Sequence, residues 1–200
     1  MQQSRTTTVV IGIITIAAIV TFGATLARAL WYSPDTEVDI PSTGQAITPA
    51  SPEAYPARLE IPSLDIDAAV QYVGINAKGN MANPSNFTDV GWYKGGTVPG
   101  SVGSAVMAGH LDNALALDGV FKRLKELKAG DSMYVTTVGG EKLRFVVQEA
   151  SVYNYLQAPV ERIFKRADRA RLNLITCEGE WIKSDKTYDE RRVVYAVLAS

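Results

Sequence analysis

Hydrophobic and polar positions divide the chain into three stretches of different pattern. From Thr6 to Ala27 there is no charged residue, and the apolar positions around Val9-Val10-Ile11-Gly12-Ile13-Ile14 cover every face of a helix instead of forming a stripe. At about 1.5 Å per residue a helix over this stretch spans roughly 33 Å, close to the ~30 Å hydrocarbon core of a bilayer. Residues 1–32 are therefore read as a cytoplasmic stub and a transmembrane anchor, crossing the membrane through residues 6–27. Arg5 precedes the apolar run and Trp31-Tyr32 follow it, which predicts a cytoplasmic N-terminus and an extracellular remainder, a single-pass protein of the cell membrane. A cleaved signal peptide is the competing reading, because Ala27-Arg28-Ala29 has the small-x-small form of a cleavage site; the run is longer than the roughly 7–15 apolar residues of such peptides.

From Ser33 to Ala57 the pattern turns to Pro, Ser, Thr and acidic residues, with Pro34, Pro41, Pro49, Pro52 and Pro56 taking five of the nine prolines. Such a composition predicts an extended extracellular stalk at 33–57. Beyond it, residues 58–200 show short apolar or alternating segments separated by turn signals. Strands are expected at 58–61, 68–75, 104–108, 132–138, 142–152, 171–176 and 191–198, with Gly-Gly at 95–96 and 139–140 and Asn83-Pro84 as punctuation. Helical spacing is confined to 118–127, with Val120, Leu124 and Leu127 apolar, and to 159–166, where Pro159 suits a first turn. That is too little helix for an alternating βαβ fold, so a mostly β domain, a closed or partly closed barrel with one or two short helices, is expected.

Charge narrows the function classes. The 20 Lys+Arg against 21 Asp+Glu, without a basic run, argue against a nucleic-acid partner. A single Cys and a single His exclude an intrachain disulfide and a zinc site of several Cys or His ligands. No GxxxxGK[ST] or GxGxxG phosphate loop is present.

The two unique residues fall at similar places. Cys177 ends the run Leu172-Asn173-Leu174-Ile175-Thr176 and is followed by Glu178-Gly179-Glu180, as if the chain leaves a strand there; His110 follows Ser104-Ala105-Val106-Met107-Ala108-Gly109. Alone, each has a plain reading, a small buried hydrophobe and a surface or core imidazole. An unpaired Cys on an exported chain points instead to a reactive thiol or an intermolecular bridge. An imidazole brought beside it by the fold can generate the thiolate that attacks a carbonyl. The oxyanion then needs a cation or backbone N–H groups, and Arg191 and Arg192, opening the last strand on opposite faces, are the candidates.

In this order the three residues, behind an anchor and a stalk, resemble the sortases, membrane-anchored cysteine transpeptidases of mainly Gram-positive bacteria. The family's Thr-Leu-x-Thr-Cys motif is matched by Leu174-Ile175-Thr176-Cys177, with Asn173 in place of the first Thr; Gly109-His110 is similar to the family's His motif. The family's Arg lies five residues before a small residue, and counting back from Ala196 selects Arg191, with Arg192 as the alternative. Ala57-Arg58-Leu59-Glu60-Ile61-Pro62 and the short ending at Ser200 look like the compact housekeeping sortases of classes E and F.

The resemblance implies an eight-stranded barrel and cleavage of a Leu-Pro-x-Thr-Gly-like (LPXTG) sorting signal between Thr and Gly. A thioacyl intermediate on Cys177 then passes to an amine of a cell-wall precursor or a pilin. Cys177 is the expected nucleophile, His110 the proton donor and later the base, and Arg191 the oxyanion stabiliser. Thr176 and Ile175 are expected to shape the substrate groove, and Asp112 to orient the imidazole or to be an ordinary loop carboxylate. No cofactor is expected. Some class A sortases use calcium, and Glu178, Glu180, Asp185 and Asp189 form an acidic loop before the last strand that reads more simply as solvated. Ile40-Pro41-Ser42-Thr43-Gly44 in the stalk nearly has the form of a sorting signal, without the hydrophobic tail of a genuine one. Two other functions compete: an L,D-transpeptidase, whose Ser-His-Gly-Cys run is absent, and an anchored binding module in which Cys177 is structural.

Overall fold

The computed structural model describes the backbone of residues 2–31 and 51–200 and the side chains of 13–27 and 51–200. Ile40-Gly44 and most of the expected stalk lie outside the described residues. Helix α1 (Gln2–Trp31) carries the N-terminal apolar stretch, and its described side chains are exposed, Ile13, Ile19 and Phe22 among them. Among the described residues no helix is long and apolar enough to cross a membrane.

Eight strands follow: β1 (Pro56–Ile61), β2 (Ile66–Val73), β3 (Val90–Tyr93), β4 (Gly103–Ala108), β5 (Ser132–Thr137), β6 (Lys142–Asn154), β7 (Ala170–Ile182) and β8 (Thr187–Leu198), with helix α2 (Val160–Phe164) between β6 and β7. They close into a barrel in the order β1-β2-β3-β4-β7-β8-β6-β5. The β2–β3 and β4–β7 neighbours are parallel and the others antiparallel. The expected mostly β barrel is therefore the observed fold, and closure gives every strand two neighbours.

Pattern and structure agree best where one face is buried. In β5, Met133, Val135 and Thr137 are buried and the intervening residues are not, as alternation requires. Three local expectations are corrected. β3 has no strand signal: it is four residues long, Val-Gly-Trp-Tyr, with three consecutive residues buried. The expected helix at 118–127 is a series of tight turns with one 3-10 turn at Leu124–Glu126, because Phe121 N bonds back to His110 O, while Lys122 N and Leu124 N bond to Gly119 O and Phe121 O. The acidic segment Glu178–Asp189 is not a loop. β7 continues past a bulge to Ile182 and β8 begins at Thr187, so Cys177 and Arg191 lie inside strands of a hairpin rather than at strand ends.

The last residues assigned to the stalk are part of the barrel's packing. Val138 N and Gly139 N donate to Tyr55 O and Glu53 O, each at 2.8 Å, and the Tyr55 ring sits 5.6 Å from that of Tyr72 and 5.3 Å from that of Trp92.

Two apolar clusters stabilise the fold. One fills the barrel, with Leu59, Met107, Met133, Phe145, Leu172 and Val194. The other lies outside it, where Ile163 of α2 and Val73 and Met81 cover Val106, Ala108, Ile175 and Val193. β4 and the first half of β7 are thus buried on both faces, which accounts for the apolar run of β4 and for the lack of exposed positions in β7 up to Cys177.

Candidate active site

Register alone brings the three candidate residues together. In the parallel β4–β7 pair Ala108 is opposite Ile175, and Gly109 N donates to Ile175 O at 3.1 Å, so continuing two residues along both chains sets His110 beside Cys177. In the antiparallel β7–β8 pair Cys177 is directly opposite Arg191. His110, just past the end of β4, therefore stands in a row with Cys177 of β7 and Arg191 of β8. Alternation gives them the side of Ala108, Ile175 and Val193, so they lie at one end of the outer face, beyond the second apolar cluster. They are almost closed to solvent, at 3%, 2% and 0% exposure.

The chain approaches His110 closely, and two glycines make that possible. A Cβ at Gly109 would stand 2.5 Å from Phe121 Cδ2, and one at Gly119 would stand 2.3 Å from His110 O. Phe121 N donates to that same carbonyl oxygen at 3.0 Å. On the other side His110 Nε2 lies 3.2 Å from Pro84 O, which accepts from it when that nitrogen carries the proton.

Arg191 is caged by the hairpin. Its Nη1 donates to Tyr188 O and Glu190 O, each at 2.9 Å, and its Nη2 to Thr187 Oγ1 at 2.7 Å. The Tyr155 ring centroid lies 5.7 Å from its guanidinium carbon. Arg192 lies on the other face, where Nε and Nη2 donate to the two carboxylate oxygens of Glu178 at 2.9 and 3.1 Å. Of the two arginines, Arg191 shares the face of Cys177.

The remaining predicted residues fall around this row. Thr176 and Ile175 have no exposed surface; Thr176 Oγ1 donates to Gly109 O at 2.9 Å, tying β7 to the residue before His110, and Ile175 packs in the outer cluster. Asp112 is buried and accepts a hydrogen bond from the Tyr188 hydroxyl at 2.7 Å, with Lys122 Nζ 3.8 Å from the same Oδ2. Burial first, and then the Asp112 carboxylate, push the Tyr188 phenol far above its ordinary range, so it remains a donor. The acidic residues of the hairpin serve separate partners: Glu178 pairs with Arg192, Asp185 accepts from Tyr155 at 2.5 Å, and Asp189 accepts from Glu180 N at 2.7 Å. Among the described residues there is no group of three or more His, Cys, Asp or Glu that could hold a metal ion.

Sequence reasoning missed Tyr188, Thr187, Tyr155 and Pro84. Thr187 shares the alternation of Arg191, a signal that the sequence carries because β8 begins at Thr187. The others touch the row through loops and a hairpin that no period reveals. A thiol beside an imidazole, with a guanidinium opposite, has the parts for nucleophilic acyl transfer.

The family model of the sortase domain matches residues 59–199. Solved structures with the same fold include sortase C from Clostridium perfringens SM101, at 21% identity and TM-score 0.54, covering 72% of this chain and 70% of that one. A lid mutant of sortase A from Corynebacterium diphtheriae has 22% identity and TM-score 0.56, over 72% and 70% of the two chains. Clostridium perfringens sortase C with the C-terminal cell wall sorting motif has 22% identity and TM-score 0.56, over 74% and 72%. At these identities the likeness establishes the fold. The curated proteins contain no match. The chain belongs to the sortase family and is a sortase-type transpeptidase.

Proposed function

We propose that this sortase is of the class E/F-like housekeeping type and cleaves a Leu-Pro-x-Thr-Gly-like signal between Thr and Gly. The observation that carries this reading is the row formed by His110, just past the end of β4, with Cys177 of β7 and Arg191 of β8. The Cys177 thiolate attacks the Thr carbonyl carbon, and the Arg191 guanidinium neutralises charge on the oxygen. The tetrahedral adduct collapses as His110 gives its proton to the departing glycine amine, leaving a thioester on Cys177. An acceptor amine of a cell-wall precursor or a pilin then attacks the thioester, His110 takes its proton, and Cys177 is released as thiolate. Thr176, bonded to Gly109 O, keeps β7 in register with the His110 turn, and Ile175, packed in the outer apolar cluster, backs the row from its own face. A sorting-motif complex of the Clostridium perfringens relative supports a peptide signal as substrate class.

The uncharged stretch at 6–27 supports a membrane anchor with the catalytic barrel outside the cell, carried on the Pro/Ser/Thr-rich stretch from Ser33. Its partners are then signal-bearing surface proteins and an amine acceptor. The chain of residues 1–200, incubated with quenched Leu-Pro-x-Thr-Gly and Leu-Ala-x-Thr-Gly peptides, is expected to cut after Thr, and Cys177→Ala is expected to remove all cleavage. Cleavage that survives Cys177→Ala, or no cleavage of either peptide by the native chain, overturns the reading.

A further inference from the structure

The β7–β8 hairpin does more than carry Arg191. Its Thr187 and Tyr188 supply the hydroxyl and the carbonyl that hold the Arg191 guanidinium. Tyr188 also reaches a distant element, since its hydroxyl donates to Asp112 Oδ2 at 2.7 Å. Asp112 stands two residues past His110 in a turn closed by its own bonds: Asn113 Oδ1 accepts from Leu115 N at 2.9 Å and Leu117 N at 3.0 Å, Asn113 N donates to Leu117 O, and Gly119 N donates to Leu111 O. On the other side the Tyr188 ring is backed edge-on by Trp181 at 5.4 Å. Both ends of the bond are thus held in place.

We infer that the Tyr188–Asp112 hydrogen bond is a latch that sets the Arg191 hairpin against the His110 turn. It rests on the functional reading above, because it matters to catalysis only if those two residues act on one substrate. The Arg191 cage is local to the hairpin, and the His110 turn is local to the end of β4. The latch spans the two side by side with the strand register. Its hydroxyl-to-carboxylate character makes it stronger than a neutral bond and directional. Tyr188 and Asp112 are positioning residues in this scheme, so their loss misaligns reacting groups more than it weakens substrate binding.

The test is steady-state kinetics of the chain of residues 1–200 on the quenched Leu-Pro-x-Thr-Gly peptide, with circular dichroism of each variant. Tyr188→Phe and Asp112→Ala are each expected to lower kcat roughly ten- to a hundredfold with KM within about twofold. The double variant is expected to be no worse than either single one. Asp112→Asn, which keeps an acceptor oxygen for the hydroxyl, is expected to recover most of kcat. Native kcat in Tyr188→Phe, additive losses in the double variant, or a loss that only mirrors unfolded protein would overturn the latch. If Cys177→Ala is inactive while Tyr188→Phe is fully active, the latch alone fails; if Cys177→Ala is active, the functional reading fails with it.

Discussion

Along β7 the even-numbered Leu172 and Leu174 fill the barrel with Val194 and Ala196 of β8 and Met107 of β4, whereas the odd-numbered Arg171, Asn173, Ile175 and Cys177 lie on the outer face. The same strands thus build two unlike surfaces. Inside, the contacts are apolar and non-directional, and what matters is volume. Outside, the polar groups are tied to named partners: Asn173 Nδ2 to Ile163 O at 2.6 Å, Arg171 to Asp168 by two bonds, and Arg191 to three residues of the hairpin. The barrel interior can hold the strands in register, but it offers no site for a peptide. The outer face offers one because its last positions are polar, oriented and covered by loops rather than by core.

Substitutions that separate the two faces sharpen this contrast. The largest expected effect is on the outer one: Arg191→Ala should lower kcat/KM on the sorting peptide about a hundred- to a thousandfold, the range for loss of an oxyanion partner. Arg192→Ala, next to it in sequence but paired with Glu178 on the other face, should stay within a few-fold of native. Equal losses in the two variants would break the assignment of faces.

Inside the barrel, Leu174→Ala should cost about 2–5 kcal/mol of stability in a denaturant titration, from lost burial and the cavity left behind. The activity of the molecules that remain folded should be nearly native. A Leu174→Ala variant of full stability but lowered activity would show that the inner face participates in the site.

The smallest effect is expected far from the chemistry, at Asp168. Hydrogen bonds from Arg171 hold its carboxyl well below the usual carboxylate range. A carboxylate held low in the folded chain contributes stability above its unfolded pKa, near 4, and loses it as pH falls through the folded value. Asp168→Asn should therefore lower Tm slightly at pH 7, and the gap from the native chain should close below about pH 4, as thermal melts across pH would read. A gap that widens in acid would mean that the pair is not what holds this turn.

Some of this was legible in the linear pattern and some was not. The alternation of β5 and the apolar run of β4 could be read directly, because burial on one face leaves a period of two and burial on both leaves an unbroken run. β3 left none, being four residues without alternation, and the stretch 118–127 carried helical spacing while its backbone donors went to turns around His110. The hairpin at 178–189 has the charged composition of a solvated loop, although its residues sit in a ladder that pairs Trp181 with Tyr188.

The amino-acid sequence by itself determined the chemistry available to this protein: one thiol, one imidazole, two adjacent arginines on alternating faces, and a chain patterned to close as a barrel. Only the tertiary structure decided which of these meet. Cys177 faces Arg191 because β7 and β8 pair in one register, His110 comes beside them because β4 and β7 run parallel, and Tyr188 reaches Asp112 because the hairpin folds toward the His110 turn. Identity and periodicity are local properties that a sequence displays. Register and hydrogen bonds between distant residues exist only once the barrel has closed.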